Sequence, residues 1–281
     1  MPTVQKKMII QNLIENTCRK IGLEAEHGLS FYMETEEKKI LFDTGSSDRF
    51  ARNAQKLGID LSEVDMLVIS HGHYDHTGGI KTFLELNQKA AIYMQKEAAG
   101  DFYSLRGEGE AAYIGLPEEI KQNERIHFLE GDHIWDEALS VFSGVTKRNL
   151  WPKSNLVLKE KQGAELVQDQ FLHEQNLRIV SEGKEILMAG CGHSGIINIM
   201  EKYQELYGRY PDMVVGGFHL TNPRSQELDQ ELVEAVAKEL LSYGSEYYTC
   251  HCTGIEAYKH LKKIMGDRLH YIATGERIEI F

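Results

Sequence analysis

The sequence lacks several features that would assign it to whole classes of protein. Its 281 residues include only four cysteines and five prolines, so it is neither a disulfide scaffold nor divided by a proline-rich linker. It has no run of about 18 apolar residues, which excludes a transmembrane helix. Residues 1–14 lack the apolar block and small-residue cleavage site of a signal peptide. We therefore expect a cytoplasmic protein with reduced thiols.

Positive charge is also scarce. The chain has 31 Lys and Arg against 43 Asp and Glu, a formal net charge of −12. Non-specific binding to nucleic acid or to an anionic membrane needs a cationic face, so we expect neither as a partner. A small-molecule substrate, phosphorylated or not, is the expected partner. The oligomeric state stays open, with a homo-oligomer among the options.

The apolar pattern predicts strands and helices in both halves of the chain. Residues 66–69 (MLVI) are typical of a strand buried on both faces, and residues 226–241 form the clearest helical pattern. This distribution favours an α/β fold with two sheets packed face to face and helices outside. No linker or repeat divides the chain, which favours one domain over residues 1–281. Residues 95–150 are the least regular, and we expect loops, short helices and an edge strand or two there, on the substrate side.

Residues 71–76 (HGHYDH) directly follow the buried strand. The loop places His71, His73, Asp75 and His76 within six residues, and side chains in such a loop can converge on one point. Imidazole and carboxylate together suit zinc, iron or manganese. Four ligand-type residues exceed what one tetrahedral ion takes beside its water. The spacing therefore suggests two ions, the first two histidines on one and Asp75 with His76 on the other.

The pattern H-x-H-x-D-H after a buried strand resembles the signature of the metallo-β-lactamase superfamily. Leu41–Gly45 (LFDTG) resembles another motif of that superfamily. Three further segments, Gly190–Asn198, Gly216–Leu220 and His251–Gly254, resemble the branch named after 7,8-dihydropterin-6-methyl-4-(β-D-ribofuranosyl)aminobenzene-5'-phosphate synthase. The resemblance implies an αβ/βα four-layer sandwich with two mixed sheets. It also implies two divalent metal ions, zinc first, with manganese or iron as alternatives.

At the positions of the remaining metal ligands implied by the resemblance, this chain departs from the superfamily pattern. Where the superfamily has Gly-Asp with a bridging carboxylate, this chain has Gly190 followed by Cys191. We expect His193, opening a helix, to replace the missing ligand, and Cys191 to be a small buried filler more readily than a thiolate ligand. This leaves open whether one or two ions bind tightly. His173 and Glu174 are weaker candidates, because their neighbours differ from the superfamily motif.

Two histidines at predicted strand ends resemble a pair in the phosphodiesterase and ribonuclease Z members. That resemblance implies His251 as a metal ligand and His219 as proton donor or ligand. We expect Cys250 and Cys252 to point away from His251 by strand alternation and to serve packing. Asp43 is expected to accept an N–H from a metal-bound histidine.

Other candidate residues lie outside the predicted site. The segment Phe102–Arg106 and the pair Arg148 and Trp151 could contact substrate, but exposed arginines are more often solvated. Five histidines without a converging partner are expected to be surface or structural residues: His27, His127, His133, His260 and His270.

These residues predict a hydrolase that uses a metal-bound hydroxide, on a phosphoester or a related small-molecule ester. The ions would be held by His71, His73 and His193 and by Asp75, His76 and His251, with His219 and Asp75 as catalytic residues. One alternative is a transferase that condenses a dihydropterin diphosphate with a ribofuranosylaminobenzene phosphate. A two-iron redox protein is disfavoured because its motif, H-x-E-x-D-H, contains a Glu that residues 71–76 (HGHYDH) lack. A non-catalytic metal- or ligand-binding protein is disfavoured by the intact motif.

Overall fold

The computed structural model describes residues 8–107, 109–221 and 228–281. In chain order its strands are β1 (Met8–Ile14), β2 (Ser30–Glu34), β3 (Lys39–Phe42), β4 (Met66–Val68), β5 (Ala91–Gln95), β6 (Phe102–Leu105), β7 (Ala111–Tyr113), β8 (Ile126–Leu129), β9 (His133–Asp136), β10 (Leu139–Ser143), β11 (Leu158–Gln162), β12 (Glu165–Gln168), β13 (Gln175–Ser181), β14 (Lys184–Met188), β15 (Met213–Gly216), β16 (Glu246–Thr249), β17 (Leu269–Tyr271) and β18 (Arg277–Ile280). Its α-helices are α1 (Arg49–Lys56), α2 (Tyr74–Thr77), α3 (Ile80–Leu86), α4 (Glu118–Lys121), α5 (Ile196–Tyr207), α6 (Gln230–Ser242) and α7 (Ile255–Met265).

Two large mixed sheets organise the chain. The first has the order β18-β1-β2-β3-β4-β5-β8, and the second has the order β17-β16-β15-β14-β13-β10-β9. In the first, pairing is parallel from β3 to β8 and antiparallel elsewhere. In the second, β14 to β17 are parallel and the other pairs antiparallel.

The sheets pack face to face around a shared core. Phe31 and Val68 of the first sheet and Leu177 and Val215 of the second are fully buried in one apolar cluster. Helices α1 and α3 cover the outer face of the first sheet, and α5, α6 and α7 cover that of the second. Layers of this kind bury one apolar face of every element. The predicted αβ/βα four-layer architecture is confirmed.

A third sheet corrects the expectation for residues 95–150. These residues contain strands β6 to β10, and β6 and β7 join β11 and β12 in a four-stranded sheet of order β12-β11-β6-β7. Phe102, Ile114, Leu158 and Phe171 form its small core. The short strands carry mixed polar and aromatic residues without clear alternation, so their pattern did not predict them.

The carboxyl ends of the parallel strands position the candidate site. Strand β4 leads into the loop with residues 71–76, and β14, β15 and β16 lead towards Cys191, His219 and His251. Open parallel sheets collect ligand-binding residues at this end of their strands.

None of the helices in the described part of the chain is long and apolar enough to cross a membrane. Helix α6 begins at Gln230, and residues 226–227 of its predicted range lie outside the described residues.

Candidate metal centre

The loop after β4 is held in place by close backbone packing. A Cβ atom on Gly72 would lie 2.5 Å from the carbonyl oxygen of Ala98, so only glycine fits there. The short helix α2 then turns Asp75 and His76 inwards, and His71, His73, Asp75 and His76 are all buried. The sequence motif therefore folds into a buried cluster of ligand-type side chains.

A first group of imidazoles forms around His71. Its Nε2 lies 3.2 Å from the Nε2 of His193. The ring centre of His73 lies 4.6 Å from that of His71 and 4.8 Å from that of His193. The three predicted ligands of one ion thus come together. His193 lies in the turn before α5, three residues ahead of the helix that it was predicted to open.

A second group contains Asp75, His76 and His251. The Nε2 atoms of the two histidines are 3.2 Å apart. The Oδ2 atom of Asp75 lies 3.3 Å from Nε2 of His251 and 3.7 Å from Nε2 of His76. The predicted ligands of the other ion are therefore also brought together.

Hydrogen bonds fix the protonation of these rings. The amide of Asn155 donates from Nδ2 to the carbonyl of His193, so its Oδ1, 2.8 Å from Nδ1 of His193, must accept the ring proton. The Oδ1 of Asn16 lies 2.7 Å from Nδ1 of His251 in the same way. With the proton on Nδ1, each Nε2 presents a lone pair. Lone pairs of this kind are positions at which a cation can bind, so the donor set fits metal ions.

Asp43 connects both groups. Its Oδ2 lies 2.7 Å from Nδ1 of His76 and accepts a hydrogen bond from Oγ of Ser70 at 2.6 Å. The same Oγ lies 2.9 Å from Nδ1 of His71. One fully buried carboxylate therefore orients a ring in each group, directly in one and through a hydroxyl in the other.

The Asp43→Asn substitution is expected to lower metal affinity about 10- to 100-fold. It keeps the size of the side chain but removes the charge that holds the Nδ1 proton of His76. Competition with a chromophoric chelator measures the affinity. Asp65→Asn is the matched control and should bind metal like the native protein, because Asp65 is exposed and its carboxylate contacts only the amide of Lys39 and the ammonium of Lys89 among the contacts found for it. Equal affinity in both variants would contradict the role given to Asp43.

Electrostatics also favour cations at both groups. Burial and the neighbouring imidazoles hold the pKa of His71 and of His193 well below the usual value, which keeps both rings neutral. Burial lowers the pKa of His76 too, but the carboxylates of Asp43 and Asp75 outweigh it and raise the pKa to about 9. Neutral rings are ready ligands, and the carboxylates provide a negative potential that attracts positive charge.

Cys191, expected to be a buried filler more readily than a ligand, is buried and lies between the two groups. Its Sγ is 3.1 Å from Nε2 of His76. It also lies within 4.8 Å of the ligand atoms of His71 and His193 on one side and of Asp75 and His251 on the other. A buried thiol at this position is close enough to both groups to hold a metal ion together with them. The sequence could not show this, because the position follows from the meeting of both sheets.

The comparisons with known proteins agree with this geometry. The profile of the metallo-beta-lactamase superfamily matches residues 23–147. An uncharacterized protein of Methanocaldococcus jannaschii is 31% identical over 92% of this chain and 100% of its own. The chain belongs to the metallo-β-lactamase superfamily.

A further relative and a solved structure are also similar to this chain. A 7,8-dihydropterin-6-methyl-4-(beta-D-ribofuranosyl)-aminobenzene-5'-phosphate synthase of Methanocaldococcus jannaschii is 30% identical over 91% of this chain and 90% of its own. A crystal structure described as a metal-dependent hydrolase of the beta-lactamase superfamily superimposes with a TM-score of 0.80, at 32% identity, over 97% of this chain and 99% of that one. The resemblance to this branch, found from the motifs, is confirmed.

A cavity of about 140 Å³ borders the two groups of ligand-type side chains described above. His219 lies on its wall, with its ring centre 4.2 Å from that of His193. It is only 9% exposed, and its Nδ1 has no hydrogen-bond partner among the described residues. Its backbone has a φ of 47°, a strained conformation for a residue with a side chain. The surrounding structure thus holds the imidazole against the cavity.

His173 and Glu174 are engaged elsewhere. Nδ1 of His173 accepts the amide of Gly72 at 3.0 Å, and its Nε2 lies 3.1 Å from Asp169. The carboxylate of Glu174 accepts the amides of His193 and Ser194 at 2.6 and 2.9 Å. Both side chains therefore stabilise the loops around the two groups and do not face the centre of the site.

Two residues lie closer to this site than the sequence suggests. His27, expected to be a surface or structural residue, is exposed, and its Nε2 lies 3.3 Å from Asp75, with its ring on the cavity wall against that of His251. Cys252 was expected to point away, but it lines the cavity beside Cys191 and His219. Strand alternation does not apply, because residues 251–253 form a 3₁₀ turn. The other four histidines of that set do not line the cavity.

Proposed function

We propose that this protein is a metal-dependent hydrolase that cleaves a phosphoester or a related small-molecule ester, with zinc as the first choice of metal. The observation that carries the proposal is the pair of buried groups, in each of which two histidine Nε2 atoms face each other at 3.2 Å. Their separation by a single thiol supports a dinuclear centre.

The ligands are assigned by these groups. One ion would be held by His71, His73 and His193, the other by Asp75, His76 and His251, with the Cys191 thiolate reaching both. When bound, such ions lower the pKa of water from 15.7 to about 7 and polarise a phosphoryl oxygen.

The side chains on the cavity wall supply the remaining chemistry. Oδ2 of Asp75 is an acceptor that can hold a hydrogen of the attacking water. The His219 ring, which lies across the first group and faces the cavity, would protonate the departing oxygen. Both residues act at fixed positions because their loops are buried.

The residues that line the cavity favour a small anionic substrate that also has an apolar part. Leu105, Ile114, Val157 and Leu158 line it between the cluster and solvent. Among the described residues of the lining, Arg106 is the only lysine or arginine. Its planar guanidinium matches a phosphate or carboxylate, and it is exposed at the mouth of the cavity. From sequence alone an exposed arginine is expected to be solvated surface, and its place in the cavity lining favours a substrate contact instead.

A substrate panel tests the proposal. We expect the zinc- or manganese-loaded protein to hydrolyse an aryl phosphodiester, and a chelator to abolish this activity until metal is restored. Arg106→Met should raise KM about tenfold for phosphodiesters with a second anionic group, because a charge-assisted hydrogen bond is lost, with little change in kcat. Lys161→Met, at an exposed lysine of the same small sheet, is the control. No turnover of any ester by metal-loaded protein would overturn the hydrolase proposal.

A transferase is the second candidate, because a relative 30% identical to this chain is named as a synthase. In that reaction an amine of a ribofuranosylaminobenzene phosphate would displace diphosphate from a dihydropterin diphosphate, and the metal centre would bind the leaving diphosphate. Release of diphosphate only when the amine is present would favour this candidate. Release in its absence would favour hydrolysis.

A further inference from the structure

Cys252 has no part in the proposed reaction, although it lies in the same cavity. Its Sγ is 3.3 Å from the carbonyl oxygen of Cys191. The two Sγ atoms and a ring nitrogen of His219 all lie within 4.8 Å of one another. Both cysteines line the cavity, so a small solute that enters it reaches them.

The backbone around the two sulfurs leaves room for them to approach. Cys191 lies between Gly190 and Gly192, and Gly192 has a φ of 67° that favours glycine. A Cβ atom on Gly217 would overlap the Sγ of Cys252, so the absence of a side chain there provides the space for that sulfur. A disulfide requires the sulfurs to close to about 2.05 Å, and rotation about the Cα–Cβ bonds is the motion that brings them together.

The other two cysteines differ in position. Cys250 is fully buried in the core between the sheets, and Cys18 is partly exposed beside the carbonyl of Thr274. Neither lines the cavity. Among the four cysteines, Cys191 and Cys252 are therefore the pair that geometry and access bring together.

We propose that Cys191 and Cys252 form a disulfide when a peroxide enters the cavity, and that this bond withdraws the Cys191 sulfur from the metal positions. The second half of this inference rests on the proposed metal centre. Cys252, the more exposed of the two at 8% against 2%, attacks the peroxide to give a sulfenic acid and one water. Cys191 attacks that sulfur, forms the S–S bond and releases a second water. Two thiols are oxidised by two electrons, and one hydrogen peroxide is reduced to two waters.

The test uses the metal-loaded full chain treated with hydrogen peroxide. Mass spectrometry of a non-reduced digest should show a peptide pair joined through Cys191 and Cys252, with the loss of two of the four thiols. Elemental analysis after desalting should show metal released in proportion to the bond. A dithiol reductant with added metal should restore the original content.

Variants separate the two halves of the inference. Cys252→Ser should form no such link and keep its metal at the same peroxide dose, whereas Cys250→Ser, two residues away in the core, should behave like the native protein. A native digest in which oxidation is confined to Cys18, or yields sulfinic acids without the link, would overturn the disulfide, and this result does not depend on any variant folding. A link that forms while the metal stays bound would overturn the withdrawal of Cys191. Native protein that takes up no metal but still forms the link would contradict the proposed function and leave the disulfide supported.

Discussion

His71→Ala and His193→Ala should each remove bound metal and lower hydrolysis by a factor on the order of a thousand or more. The native protein is expected to hold about two equivalents of divalent metal. These two rings face each other at 3.2 Å with neutral nitrogens, so the loss of either leaves the first group incomplete. The chemistry assigned to the ions contributes several kcal/mol, and about 1.4 kcal/mol corresponds to tenfold in rate.

Elemental mass spectrometry of the purified variants measures the metal, and the phosphodiester assay measures the rate. His127→Ala is the matched control, because His127 is an exposed histidine on β8 that stacks on Tyr93 outside the cavity. It should retain full metal content. Native metal content in either cluster variant, or failure of the native protein to take up metal at all, would refute the proposed centre.

His219→Ala should lower kcat by about 10²- to 10⁴-fold for substrates with a poor leaving group. A leaving group of low pKa departs without a proton, so the loss should be small for a nitrophenyl ester. The ring lies on the cavity wall and has an unpaired Nδ1 among the described residues. This dependence on the leaving group is what a proton donor predicts and a packing residue does not.

Metal content distinguishes the two roles that the sequence left open for His219. As a proton donor it should leave the metal content of the alanine variant unchanged, and added imidazole should recover part of the rate. If the variant instead loses metal, or if both kinds of leaving group are affected equally, His219 is not the donor.

The sequence predicted the architecture because apolar strands and helices leave local patterns. The buried run Met66–Ile69 matches β4 to within a residue. The ligand loop was also visible, because His71 to His76 are neighbours in sequence. The architecture and the ligand loop are both encoded by residues that are close in sequence, so the sequence alone was enough to predict them.

The remaining site residues depend on contacts between distant segments. Cys191 reaches the centre because β14 ends opposite the loop of the other sheet, and Cys252 faces the cavity because a 3₁₀ turn replaces the expected strand. His27 reaches Asp75 from the loop before β2. A single chain read alone gives no signal for contacts of this kind. The irregular pattern of residues 95–150 suggested a segment beside the site, and four residues of this segment line the cavity.

The small sheet has a consequence for how relatives diverge. It supplies Ser104, Leu105, Arg106 and Leu158 to the cavity wall, while the ligands come from loops of the two large sheets. It has its own small core, so its outer residues can vary without disturbing the sandwich. Selection can therefore change which molecule enters the cavity while the cluster of ligand-type side chains stays intact. A lineage with this fold can acquire a new substrate through exchange of the β6–β7 hairpin, and the same hairpin is the natural segment to randomise in directed evolution.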